Sequence, residues 1–170
     1  MDYKIAQRTL VCAILFALVL MFVGCGNQSF ITLTSTESPA RDAKAVFELD
    51  ISGINGAEIT TELRQNGESN TQPLISLDNS AKDLAITITP DKQDSDKYNR
   101  VNLTASSGDL TRNAMFTDLP EAAGWSFSTQ KQNEKLKITA GETKVLAALA
   151  LDNIDENNYD CVIIIRAEFN

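Results

Sequence analysis

The chain has 170 residues, 43% of them hydrophobic, and a net charge of −8 with no histidine. That length suits one domain with a single core, and the acidic balance argues against nucleic acid, whose binding needs clustered Lys and Arg. The missing histidine removes the commonest general base, transition-metal ligand and pH switch together.

Residues 1–9 carry Lys4 and Arg8 against one acid, Asp2, and residues 10–23 form an unbroken apolar run. A membrane-spanning helix wants roughly 20 apolar residues against a hydrocarbon core of about 30 Å. This run is shorter and lies in the signal-peptide range of about 7 to 15 residues. The step that ends it, Phe22-Val23-Gly24-Cys25, resembles the lipobox of bacterial lipoproteins, with Phe22 where Leu is usual. The resemblance implies cleavage between Gly24 and Cys25, loss of the signal peptide 1–24, and diacylglycerol on the Cys25 sulfur. It also implies a lipid-anchored place on the cell envelope, on the periplasmic or cell-surface side of a membrane. The competing reading is an uncleaved single-pass anchor with Cys25 there by chance. Of the three cysteines, Cys12 leaves with the leader and Cys25 is acylated, so Cys161 is the one ordinary thiol and no disulfide forms within the domain.

Residues 25–42 read as the acylated cysteine and a polar tether, with residues 30–34 as its one strand-like piece. A first edge strand is the alternative there. From residue 43 to 170 the dominant period is two, the mark of half-buried strands. Ala45, Phe47, Leu49 and Ile51 alternate with Lys44, Glu48 and Asp50, and Ile59, Thr61 and Leu63 alternate with Glu58, Glu62 and Arg64. Leu84, Ile86 and Ile88 follow, then Val101, Leu103 and Ala105, then Trp125 and Phe127, then Leu136 and Ile138. Residues 141–152 have helix-forming Leu and Ala, yet Thr143, Val145, Ala147, Leu149 and Leu151 also alternate, and a strand is expected. The last run aligns Tyr159, Cys161, Ile163, Ile165, Ala167 and Phe169. Its second face carries Val162 and Ile164, so this strand should be central or covered. Asn66-Gly67, a polar loop at 89–99, Ser-Gly at 107–108 and Ala-Gly at 140–141 punctuate the series. These features predict a mainly β chain, an antiparallel two-sheet Ig-like sandwich of about eight strands.

Gly124-Trp125, Gly141-Glu142 and Tyr159 resemble the closing strands of Ig-like modules appended to secreted bacterial glycosidases and surface proteins. That likeness speaks to fold and says little about function.

Asp91, Asp94 and Asp96 share one loop and are candidate calcium ligands, since calcium takes about six hard oxygen donors on flexible backbone. No EF-hand spacing is present, Lys92 and Lys97 dilute the charge, and a solvated acidic loop is the simpler account. Asp152, Asp155, Glu156 and Asp160 form a second such loop; meeting at one end of the sandwich would strengthen calcium. Trp125, the sole tryptophan, is a candidate binding platform for a sugar or a protein, with core packing the commoner role. Cys161 sits in the most apolar strand and reads as an inert thiol. Asn27 and Asn102 begin N-glycosylation triplets, which bacteria usually leave bare.

No nucleophile elbow occurs after the leader, and no enzyme is expected. No cofactor beyond the acyl chains is called for. The expected function is a non-catalytic binding or scaffold module, held to a membrane by its lipid and engaging an envelope protein or glycan. The alternative is a subunit of a surface fibre or pilus. Some lipoprotein pilins mature by a cut at an N-terminal Arg that releases a strand for exchange; Arg41, ahead of the first strong strand, loosely resembles such a site.

Overall fold

The computed structural model describes residues 29–37, 44–92, 96–129, 132–151 and 161–170. They build eleven strands and no helix, arranged as two antiparallel sheets. In chain order these are β1 (Ser29–Glu37), β2 (Ala45–Asp50), β3 (Ala57–Gln65), β4 (Glu68–Leu77), β5 (Asp83–Asp91) and β6 (Arg100–Ser107). Then follow β7 (Leu110–Phe116), β8 (Trp125–Thr129), β9 (Lys135–Ile138), β10 (Thr143–Leu151) and β11 (Cys161–Phe169). One sheet has the order β7-β6-β5-β2-β1-β9 and the other β4-β3-β11-β10-β8.

The period-two sets supply the core between the sheets. Phe47, Ile86, Ile88, Val101, Leu103 and Ile165 are each 0% exposed, and Phe47 stacks on Phe127 with ring centroids 5.9 Å apart. Each fully buried side chain of this size contributes about 1.5 to 3 kcal/mol. β11 is the middle strand of its sheet, as its two apolar faces require. Its inner face joins the main core, while Val162 and Ile164 form a second apolar cluster with Ala150 on the outer face.

Three findings differ from the sequence expectation. First, residues 29–37 of the stretch read as a tether are a strand: β1 pairs with β2 along one side and with β9 along the other. Ile31 and Leu33 point inward at 0% and 1% exposure, so residues 29–37 already belong to the sandwich, ahead of residue 43. Second, eleven strands replace about eight, because β4 and β7 joined the sheets unannounced. Both are edge strands with one row of backbone groups open to water and long exposed stretches, residues 68–71 in β4 and 111–113 in β7, so their sequences carry little alternation. Pro73 suits the β4 edge, and the inward-side charge of Arg112 blunts the β7 edge against stray pairing. Third, a bulge between Val145 and Ala147 interrupts the alternation of β10. Leu146 and Ala147 both turn inward, and Val145 moves to the outer cluster.

The β3–β4 hairpin turns on Asn66 and Gly67, with φ of 53° and 80°, the two positive values a type I′ turn demands. Gly56 has φ of 144°, and a Cβ there would stand 2.7 Å from the Leu77 carbonyl oxygen, so only glycine fits.

Candidate functional site

Strand directions place most of the described connections at one of two ends. Ser29, the 51–56 and 78–82 links, the 107–110 and 139–142 turns and the C-terminal Asn170 gather at one end. The Asn66-Gly67 turn, the 91–100 and 117–124 links, and the ends of β10 and β11 that flank residues 152–160 lie at the other. Both acidic loops thus leave from the end remote from Ser29.

Of the residues proposed as calcium ligands, Asp94 lies outside the described residues, as do Asp152, Asp155, Glu156 and Asp160. Asp91 is engaged already: Arg100 holds it through Nε at 3.0 Å and through Nη2, and the Lys92 amide donates at 2.8 Å. The Arg100 hydrogen bond, then that of Lys92, keeps the Asp91 carboxyl below its ordinary range. Asp96 is exposed. Among the described residues no three His, Cys, Asp or Glu side chains gather closely enough to hold a metal.

Trp125 is half-buried and packs against the main core, paired across the ladder with buried Leu151. Cys161 is 2% exposed, and burial pushes its thiol up to about 11. Gly24, Cys25, Asn27, Arg41 and Tyr159 lie outside the described residues.

Two polar constellations emerge only from the tertiary pairing. The first centres on Glu62, on the outer face of β3 and only 8% exposed. Its carboxylate accepts from Arg64 Nε at 2.6 Å, Ser69 Oγ at 2.7 Å and Arg166 Nε at 2.8 Å. The hydrogen bond from Arg64 does most to hold the carboxyl at about 2; burial works against it, and Ser69 and Arg166 add to the lowering. A carboxylate this firmly ionised accepts hydrogen bonds and serves no proton transfer near neutral pH. Glu62 ties β3, β4 and β11 together beside the apolar Val162 and Ile164, its role being structural.

The second is a cleft of about 420 Å³ at the Ser29 end. The 78–82 link walls one side and the 107–110 turn the other, where β4 of one sheet faces β6 and β7 of the other. Leu77 and Leu110 give it apolar lining, Ser107 adds a buried hydroxyl, and Asp78, Lys82, Asp83 and Asp109 supply charge. Asp78 is spent on a local turn, accepting from the Ser80 amide at 2.8 Å and the Ser80 hydroxyl at 2.5 Å. The hydroxyl bond, ahead of the amide bond, holds the Asp78 carboxyl low. Sequence reading passed over this cleft, since its residues come from connections about 25 positions apart and match no motif.

Comparison with known proteins adds no relative: no family model matches the chain, and neither a curated protein nor a solved structure matches it.

Proposed function

We propose that the protein is a lipid-anchored component of the bacterial cell envelope, a non-catalytic binding or scaffold module that engages an envelope protein or glycan. One observation carries the reading. Strand β1 opens at Ser29, so only residues 26–28 separate the acylated Cys25 from the first ladder pair, Ser29 with Ile138. At 3.3 to 3.6 Å per extended residue, the acyl anchor then stands within roughly 14 Å of the Ser29 end of the sandwich. A tether that short holds the domain against the bilayer by that end and offers the opposite end to partners. The 65–68, 91–100 and 117–124 links form that presented end.

The test is metabolic labelling with a palmitate analogue, together with fractionation of wild type and Cys25→Ala. Label on the wild type, and release of the variant from the membrane, support the anchor. An unlabelled protein, or unchanged fractionation of the variant, removes it.

A second reading, a fibre subunit that exchanges strands, draws on a different observation. β1 precedes Arg41 and lies between β2 and β9, so a cut after Arg41 would leave it held by hydrogen bonds and packing alone. Its departure would uncover a groove between β2 and β9 deep enough to seat the side chains of Ile31 and Leu33 from a neighbour's strand. Intact-mass analysis separates the two readings: an N-terminus at acylated Cys25 supports the anchored module, and one at Asp42 with SDS-resistant ladders supports the fibre.

A further inference from the structure

We propose that one corner of the Ser29 end, built from Phe30, Lys135, Lys137 and the uncharged links 51–56 and 139–141, rests directly on a phospholipid bilayer. This deepens the anchored-module reading and rests on its acylated Cys25.

The argument starts from an aromatic ring. Among the described residues two large hydrophobic side chains are exposed, Phe30 at 41% and Met115 at 59%. Single exposed apolar side chains are ordinary, so it is their place that matters. Met115 lies next to the end of β7, at the end of the sandwich remote from Ser29. Phe30 is the second residue of β1, on the outer face beside inward-facing Ile31, and five residue steps from Cys25. At 3.3 to 3.6 Å per step, no more than about 18 Å of chain separates it from the acyl group. β1 is paired on both sides, so the ring is presented by a sheet rather than by a loop.

The charges around the ring are sorted. β9 sets Lys137 directly across the ladder from Phe30 and Lys135 across from Thr32, on the same outer face. Both lysines are exposed, and neither forms an ion pair among the described residues. The links beside them, 51–56 and 139–141, carry no charged side chain. Asp50, across β1 from Thr32, turns its carboxylate to the Ser52 amide at 3.0 Å and hydroxyl at 2.7 Å. Glu142 is paired with Lys144. Other acids of this end lie elsewhere, with Asp78, Asp83 and Asp109 around the cleft and Glu58 and Glu168 on the other sheet. In a chain of net charge −8, the corner nearest the anchor thus holds an exposed ring and two free cations.

A bilayer surface complements that corner. The ring enters the boundary between headgroups and acyl chains, while the lysine stems lie along it and their ammonium groups stay among the phosphates. Anionic headgroups repel the acidic side of the same end, so the domain leans onto its β9 edge.

The test uses the full-length acylated protein in vesicles of dibrominated phosphatidylcholine, with and without an equimolar share of phosphatidylglycerol. Bromine quenches an indole that reaches the acyl chains. At a depth of about 5 to 10 Å, the Phe30→Trp indole should lose about half of its emission on the anionic vesicles. Wild type, whose Trp125 lies at the remote end, and Met115→Trp should stay bright. Lys135→Gln with Lys137→Gln, added to Phe30→Trp, should bring quenching on anionic vesicles down to the neutral level, each lysine favouring the seated orientation about fivefold. Flotation with the vesicles, scored for every variant, separates two failures. Protein that floats while Phe30→Trp stays as bright as Met115→Trp overturns the seated corner alone and leaves the patch to a protein partner. Protein that does not float overturns the anchor and the corner together. Equal quenching on both vesicle types, unaltered by the lysine changes, would overturn the headgroup contact. A melting curve for each variant shows that it is folded.

Discussion

Replacing Glu62 by glutamine takes away the one acceptor that serves Arg64, Ser69 and Arg166 at once. The size of the effect follows from the carboxyl's proton affinity. Its folded value of about 2, against an ordinary 4.5, means the folded protein favours the ionised form. At about 1.4 kcal/mol per tenfold change in proton affinity, that preference is worth at most about 3.5 kcal/mol. Arg64 and Arg166 have side chains 45% and 27% exposed, so both can turn partly to water when the carboxylate goes. The net loss expected for Glu62→Gln at pH 7 is therefore about 2 kcal/mol. The sign of the pH dependence follows from the same values. The unfolded chain binds the proton first as pH falls, so the contribution is full above about 4.5, declines below it, and is gone below about 2. Urea unfolding followed by Trp125 fluorescence at pH 7, 4.5, 3 and 2 measures it. Wild type and Glu62→Gln should differ most at pH 7 and converge at pH 2. Parallel stability curves across that range would falsify the account of Glu62 as a buried, firmly ionised strand clamp.

Ile31→Ala should destabilise by about 3 kcal/mol and Phe30→Ala, at 41% exposure, by less than about 1 kcal/mol; equal small effects would return residues 29–37 to a tether. Gly56→Ala should lower stability by about 2 kcal/mol or more, since its Cβ meets the Leu77 carbonyl oxygen and its φ is positive, and a neutral melting curve would contradict that packing. Maleimide should fail to label Cys161 in the native protein at pH 8 and label it fully in denaturant, as peptide mapping can read out; rapid native labelling would contradict a buried thiol held near 11. Trp125→Ala should lower the melting temperature because the ring packs on the core, and an unchanged melting temperature would revive Trp125 as an outward platform.

The β class was legible because inner strands obey a simple rule. Leu84, Ile86 and Ile88, or Val101, Leu103 and Ala105, bury one face at 0% to 1% exposure, and burial on one face forces period two into the sequence. The central place of β11 was legible for the same reason, since Val162 and Ile164 put apolar groups on its second face. The rule weakens where only part of a strand is covered. β4 shows it: its first half, residues 68–73, faces water, while the extra residue near Pro73 turns Leu74 and Ile75 inward together. β7 is polar at Thr111, Arg112 and Asn113, and β1 is interrupted by a bulge between Leu33 and Ser35. Each loses the alternation that would have announced it.

What the sequence by itself determined is the mainly β class, the identity of the inner-strand core residues, and the acidic, histidine-free chemistry of the surface. Those are local properties, carried by residues two apart or by composition. Only the tertiary structure decided which charges meet. Arg166 reaches a glutamate 104 positions away, and the 78–82 link and the 107–110 turn come to line one cleft. Side chains on neighbouring strands are brought together by ladder register, and register is settled by the burial of the whole sheet at once. A bulge such as the one at Leu146 changes which face a residue joins, and no window of a few residues contains that information.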